Sequence, residues 1–454
     1  MKLLAAAIIC LSLAGCGYHA LDRPTVENPV TPPEGWRAAA KGQSGQISSG
    51  WLKTFGNREL EKLVDQAIAH NHDLKVSAAR MREAQQGVIG QRAQQMPLLS
   101  LNGSSNADDS NSESYRLSLN SSWEIDLWGR LRKLSNASNS IAFAATEDYR
   151  DARLSLAAST SRAYYNLITA DRQVKLAEQT LQSFESVLRI IERNYKGTGE
   201  GALDIYFGTN NVASAKRALE ARKLSREEAA RTLKLLLGRY PDAQITATAK
   251  LPRFTNSVPA GLPMQLIERR PDLRAAKARL LASADRADAA RLNLLPDFSI
   301  TANSSNSTES FTQLLRLDEL VNSVGSRMAQ ILYDGGELKS DAQAALERNR
   351  AEIHRYAQVL LEALREVESA LDADRSLAEQ EGYLIEQLRQ AGHAEKQAER
   401  DYTEGVNLNI LNVLEAQRRA NNARASLIVL RNQRIRNRID LHLALGGDFK
   451  TKNP

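Results

Sequence analysis

Aromatic residues make up only 5% of this 454-residue chain, and it holds just two cysteines. So few rings argue against one large globular core, because Phe, Tyr and Trp supply much of the area such cores bury. Beyond the N-terminus no run reaches the roughly 18 apolar residues that a membrane-spanning helix needs. A dominant charge is missing too. The 60 Lys and Arg against 54 Asp and Glu leave a net +6, which reads as a solvated surface rather than a nucleic-acid footprint. The spacings H-E-x-x-H, G-x-x-x-x-G-K-[ST], G-x-S-x-G and C-x-x-C are all absent. His70 and His72 flank Asn71 at a helix junction and read as a solvated turn rather than metal ligands. Gly197, Gly199 and Gly201 form a glycine-rich stretch that follows a helix rather than a strand, so it reads as a hairpin tip and not a phosphate loop. No enzyme, cofactor or metal is expected.

What is present starts with "MKLLAAAIICLSLAGC". One basic residue precedes a short apolar run from Leu3 to Ala14, the shape of a secretory signal over residues 1–15. Leu13-Ala14-Gly15-Cys16 resembles a bacterial lipobox, which implies cleavage before Cys16 and lipidation there. Cys10 would leave with the signal, so the exported chain would have one cysteine and no disulfide. Gly17, not Asp, follows, which in such lipoproteins implies sorting to the outer membrane.

The rest is written twice. "DLKVSAARMREAQQGVIGQRAQQMPLLSL" from Asp73 matches "DLRAAKARLLASADRADAARLNLLPDFSI" from Asp272, pairing Pro97 with Pro296 and Ser100 with Ser299. "GRL" at 129–131 matches "GEL" at 336–338, Tyr195 matches Tyr402, and "LLLG" at 235–238 matches "LALG" at 443–446. The expected organisation is an extended segment over 16–57, repeats over 58–250 and 251–446, and a tail over 447–454. Each repeat reads as a helix ended by proline, two strands around a polar turn, a very long helix and a third helix. The long helix from about Gly129 to Tyr195 would measure about 100 Å, and the two shorter ones together about 87 Å. Val174, Ala177, Leu181, Phe184, Leu188, Ile191 and Tyr195 follow coiled-coil spacing. The matching seam in the second repeat carries Glu381 and Glu395, which predicts a looser pair.

The stretch "SYRLSLNSSWEIDLW" at 114–128 alternates with a period of two. Its odd positions are apolar but for Ser121. Its even positions include Arg116, Ser118, Asn120, Glu124 and Asp126, which would line a watery lumen while the odd face meets lipid. Four strands cannot sit in hydrocarbon with open edges, and a closed barrel needs at least about eight. Two or three chains must therefore share one barrel.

With "LAGC", "WEIDLWGRLR", "RRPDLRAAKARLLA", "LLPDFSI", "YDGGEL" and "YTEGVNLNILNVLEAQR" in hand, the chain resembles the TolC-like outer membrane efflux proteins, of the lipoprotein branch serving tripartite drug and metal pumps. The resemblance implies a mainly α fold with a small β part. Long helical hairpins would form a trimeric periplasmic α-barrel, and four strands per chain would join a shared 12-stranded β-barrel. It implies a homotrimer in outer membrane lipid, a periplasmic membrane-fusion adaptor and an inner-membrane pump of the proton-driven RND type. The adaptor would meet the hairpin tips at Gly197, Gly199, Gly201, Gly405 and Val406. The resemblance also places a gate just above the second tip, at Leu411 and Glu415, four apart on one helix face. Three Glu415 carboxylates would repel one another and suit a cation. Ile331 stands where the family usually has proline, and Lys277 where an acidic residue is common. Cargo is not legible: an exit duct for protein secretion would have the same fold. A poreless envelope coiled coil would have no use for the alternating strands.

Overall fold

The computed structural model describes residues 30–38, 50–107, 113–198, 201–247, 250–254, 258–406 and 409–449. Cys16 and Gly199 lie outside them. In chain order come α1 (Arg58–His70), α2 (His72–Ala93), β1 (Leu98–Ala107), β2 (Glu113–Glu124), α3 (Arg130–Thr198), α4 (Ala202–Leu236), α5 (Pro271–Leu292), β3 (Asp297–Thr308), β4 (Val321–Ala329), α6 (Glu337–Thr403) and α7 (Ile410–Ala444). The doubled order of helix, two strands, long helix and helix is as the sequence implies. α3 has 69 residues and α6 has 67. Among the described residues no helix is apolar enough over its length to cross a membrane.

Residue contacts divide the chain into two units, and each repeat contributes to both. The first holds Ser77–Tyr149 and Pro271–Leu361; the second holds Pro32–Val76, Arg150–Arg270 and the chain from Glu362.

The first unit contains the sheet, ordered β1-β2-β3-β4 and antiparallel throughout. Two boundaries differ from the sequence reading. α2 stops at Ala93 rather than at Pro97, because the residues before a proline are pushed out of the helical region and the chain tightens, with Gln95 N–H on Arg92 O at 3.0 Å. β2 stops at Glu124 although the alternation runs on to Leu127. Asp126 is drawn out of the strand to cap α3, its carboxylate accepting from the Leu131 and Arg132 amides at 2.9 and 2.8 Å. Asp334 does the same for α6, accepting from the Gly336 and Leu338 amides at 2.8 Å. α5 is sunk in alanine: Ala275, Ala278, Ala282, Ala287 and Ala289 are all buried. Small side chains let α3 and α6 approach it closely, with Ala144 on one side and Ala342, Ala345 and Leu346 on the other.

In the second unit α4 and α7 end alike. Gly238 and Gly446 take left-handed φ of 67° and 68°, and the following amides, Arg239 and Gly447, reach back to Lys234 O and His442 O at 2.9 and 3.1 Å. No other residue fits at 238, because a Cβ there would lie 2.7 Å from His70 O. The segment leading into α1 is tied to this unit where it is described. Trp36 Nε1 donates to Ala260 O at 3.1 Å, and the Arg37 and Ala38 amides both donate to the Glu368 carboxylate at 2.8 Å. Residues Trp51–Phe55 form a short 3-10 turn, with Trp51 only 1% exposed.

Trp51 stacks on His442 at 5.8 Å, the planes 12° apart. Neither nitrogen of this imidazole has a hydrogen-bond partner among the described residues. Burial, with the Arg438 charge one turn away, pushes its pKa down to about 3. The folded chain thus holds His442 neutral, whereas an unfolded chain protonates it below about 6.5. The resulting stability is complete above that value and is lost as pH falls toward the folded pKa. We expect His442 to cost about 2–3 kcal/mol by two pH units below 6.5. His442→Leu should therefore flatten the melting-temperature profile over that window. Parallel profiles for variant and parent would mean the acid sensitivity arises elsewhere.

Candidate functional site

Register assigns the faces of the sheet, since residues paired across strands share a side. Leu117 and Leu119 of β2 lie opposite Gly103 and Leu101 of β1, and Trp123 lies opposite Ile300 of β3. Ile300 and Ala302 lie opposite Ser326 and Val324 of β4. One face thus gathers Leu99, Leu101, Leu117, Leu119, Ile300, Val324 and Met328. Its apolar side chains are left bare: Leu101 is 67% and Val324 81% exposed. The other face gathers Ser100, Asn102, Ser118, Asn120, Ser122, Thr301, Asn303, Ser305 and Ser323. A soluble protein would turn the greasy face onto a core, but no layer covers it among the described residues.

Aromatic residues mark both ends of the apolar face. Tyr115 meets Phe311 edge-on at 5.6 Å at one end. At the other, Trp123 donates to Gln95 O at 2.9 Å and Trp128 to Pro296 O at 2.7 Å. Tyr115 and Trp123 lie eight residues apart on β2, about 27 Å at the strand rise, or about 20 Å in height for a strand tilted by ~40°. That is a little less than the roughly 25 Å apolar band that aromatic girdles flank in membrane barrels.

Of the residues expected on the polar face, Arg116, Ser118 and Asn120 share one side of β2. Asn120 donates to Ser118 Oγ at 3.2 Å and accepts from Asn303 of β3. Glu124, at the strand end, receives Arg130 Nη2 at 2.6 and 2.8 Å. Asp126 is not in the strand at all, since it caps α3. β1 and β4 each have one strand partner among the described residues, leaving two open edges.

The hairpin tips belong to the second unit. Val187 and Ile191 of α3, Tyr402 of α6, and Ile410 and Val413 of α7 form a buried cluster there. Gly201 and Gly405 take φ of 95° and 74°, turning each hairpin. Gly197 is exposed and Val406 is 73% exposed. Asn409 caps α7, accepting from Leu411 N at 3.0 Å, so Ile410 turns inward and Leu411 outward, 50% exposed. Glu415 shares that outer face, but its carboxylate is not free. Arg418 Nε and Arg419 Nε donate to it at 2.8 and 2.7 Å, and Arg419, then Arg418, holds its pKa below the usual range. Glu415 with its two arginines carries net positive charge, contrary to an acidic ring. The arginines at i+3 and i+4 could have been read from the sequence. Gln417 is less legible: fully buried, it bridges Ser183 Oγ and Glu399 Oε1 at 3.0 and 2.9 Å.

The Glu381 and Glu395 seam is a correction. It is not loose. Glu381 receives Arg431 at 2.8 Å and also Arg434, while Glu395 receives Arg424 at 3.1 Å, so ion pairs replace the apolar contacts between α6 and α7.

The sequence profile of the outer membrane efflux proteins matches residues 63–239 and 262–447, most of both repeats. The chain belongs to that family. It is 27% identical to the pyoverdine export outer membrane protein OpmQ of Pseudomonas putida, covering 98% of each chain. It is 30% identical to outer membrane protein OprJ of Pseudomonas aeruginosa over 98% of this chain and 95% of that one. The structure of the outer-membrane channel OprN superposes with a TM-score of 0.86 at 26% identity, over 94% of this chain and 99% of that one. The family assignment and the channel likeness agree with the bare apolar face and the polar one behind it.

Proposed function

We propose that the protein is the outer membrane exit duct of a tripartite efflux system, conducting small toxic compounds or metal ions outward without chemistry of its own. The observation that carries this reading is the two-faced sheet with both edges open. Four strands need partners to close in lipid, and three copies give a twelve-stranded barrel. The apolar face then meets lipid, and Arg116, Ser118 and Asn120 line the lumen. Cys16 carries lipid as an auxiliary anchor beside the barrel, since a single acyl chain binds membranes only marginally. The tips at Gly197, Gly199, Gly201, Gly405 and Val406 meet a periplasmic adaptor joined to a proton-driven inner-membrane pump of the RND type. Leu411 is the apolar gate candidate. Glu415, with Arg418 and Arg419 around it, supplies a salt-bridged rim rather than a cation ring. A relative named for pyoverdine export and a family described as efflux proteins favour small cargo over a secreted protein.

Deletion tests the cargo class, and purified protein tests the duct. Loss of the gene should raise susceptibility to several small toxic compounds and leave the secreted proteins unchanged. Native mass spectrometry in detergent should give a trimer. In planar bilayers the joint variant Leu411→Ala, Glu415→Ala should raise the closed-state conductance. A monomer that conducts nothing would sink the duct, and an unchanged closed state would sink the gate.

A further inference from the structure

The two strand hairpins turn very differently at the end of the sheet away from the helices. Between β1 and β2, residues 108–112 read Asp-Asp-Ser-Asn-Ser. Between β3 and β4, residues 309–320 read "ESFTQLLRLDEL". A turn that projects into water has no use for so many leucines beside a phenylalanine. The second loop forms two short 3-10 turns, Phe311–Gln313 and Leu317–Glu319. It is tied to the apolar face of the sheet. Asn306 lies opposite Leu117 and Thr308 opposite Tyr115, so all four share that face. Asn306 Nδ2 donates to Gln313 O and Leu314 O at 3.0 and 3.1 Å, with Arg316 O at 3.5 Å. Thr308 Oγ1 donates to Gln313 Oε1 at 3.2 Å, and the Phe311 ring meets Tyr115 edge-on. Under the loop Asn306 is only 2% exposed, while Phe311 and Leu315 are left 69% and 77% exposed. A bare asparagine on a lipid-facing strand would be costly, and so would loop carbonyls without donors. Here each answers the other.

We infer that loop 309–320 is a wedge in the outer leaflet of the membrane. It folds back along the lipid side of the barrel instead of over the mouth, and it seats Phe311 and Leu315 among the acyl chains just below the headgroups. This rests on the reading that the apolar face meets lipid, and it adds a surface which that reading does not require. The occupant follows from continuity. Phe311 extends the apolar face from Tyr115, and Leu315 follows the leucine whose carbonyl Asn306 holds against the same face. Apolar side chains at an interface insert into the acyl boundary, and phenylalanine and leucine are the usual ones to do so. Headgroup phosphate is not the ligand. Arg316 is answered inside the loop by Glu319 at 3.2 Å, and Glu309 and Asp318 add negative charge around it. The face between Tyr115 and Trp123 is about 20 Å high, short of a roughly 25 Å band, and the loop enlarges the apolar surface at its outer end. The first hairpin, with its acidic and polar turn, has no such side chains to insert. The wedge therefore belongs to the second repeat alone.

Contact quenching reads this directly. Leu315→Cys, Leu119→Cys and Ser118→Cys are made singly in the full-length protein and labelled with bimane. Each is reconstituted as a trimer, checked by native mass spectrometry, into phosphatidylcholine vesicles with plain or brominated acyl chains. Bromine quenches the label only where acyl chains touch it. The parent chain, taken through the same labelling, gives the background from Cys16. The label at Leu315→Cys should lose as much fluorescence as the one at Leu119→Cys on the lipid face, and the one at Ser118→Cys should lose little. Asn306→Leu keeps a side chain suited to lipid but releases the loop carbonyls. Combined with Leu315→Cys, it should bring the loss well below that of Leu315→Cys alone. Quenching at Leu119→Cys with none at Leu315→Cys overturns the wedge and leaves the duct intact. No quenching at Leu119→Cys overturns the lipid-facing assignment and the wedge with it. Equal quenching with and without Asn306→Leu overturns the hold assigned to Asn306.

Discussion

Leu119→Arg is expected to empty the outer membrane of assembled protein, while Ser118→Arg, its neighbour in sequence, leaves assembly intact. Leu119 lies opposite Leu101 and Ser304, midway along β2 between Tyr115 and Trp123. It is 42% exposed within its own chain, so the substitution removes little packing there. The cost comes from lipid. An arginine at the midplane of a barrel's outer face costs about 2–4 kcal/mol, and three copies would suffer it together, about 6–12 kcal/mol in all. That is comparable with the whole stability of a typical domain. Ser118 lies opposite Asn102 and Ser305 on the polar face, where a cation remains in water. The readout is the fraction of each variant folded in outer membranes, with a urea midpoint for what is recovered. Equal damage from both would reverse or abolish the assignment of faces.

The two faces were legible in the sequence because a strand between lipid and water must alternate, and 114–128 does so almost without lapse. The doubled order of elements was legible too, through Pro97 and Pro296 and through the glycines that close α4 and α7. The end of β2 was not. Ile125 and Leu127 prolong the alternation, and only the two amides gathered by Asp126 show that the chain has already turned toward α3. Pattern also fails where two distant segments settle a residue between them. α2 and α5 read alike, yet α5 is walled by alanine contacts on two sides and α2 is open on one. Trp51 stacked on His442 joins segments nearly the whole chain apart, and no local period announces it. Likewise, a glutamate on a helical seam reads as a flaw until its arginines arrive from the other helix.

That last case gives the largest effect expected for a single side chain outside the sheet. Glu381 is 8% exposed between α6 and α7, with Arg431 and Arg434 on its two oxygens. Burial pushes its carboxyl up, but the hydrogen bonds and charges of the two arginines outweigh it, and the group stays below the usual carboxylate range. Its contribution is therefore present above the ordinary carboxylate pKa and is lost as pH falls through the lowered folded value. Glu381→Leu would leave two half-buried guanidinium groups facing each other. Arg172 adds to the strain, because burial and the nearby Arg431 charge already lower its pKa. Removing one partner of such a group costs about 3–5 kcal/mol, whereas replacing every partner by apolar side chains is neutral or stabilising by about 1–4 kcal/mol. Glu381→Leu alone should therefore loosen the α6–α7 hairpin, seen as faster proteolysis between Thr403 and Ile410 and a lower melting temperature. Adding Arg431→Leu and Arg434→Met should restore the melting temperature to the parental value or above. If the single variant melts like the parent, or the triple variant melts below the single one, the pairs are ornaments of a surface rather than the seam that holds this hairpin.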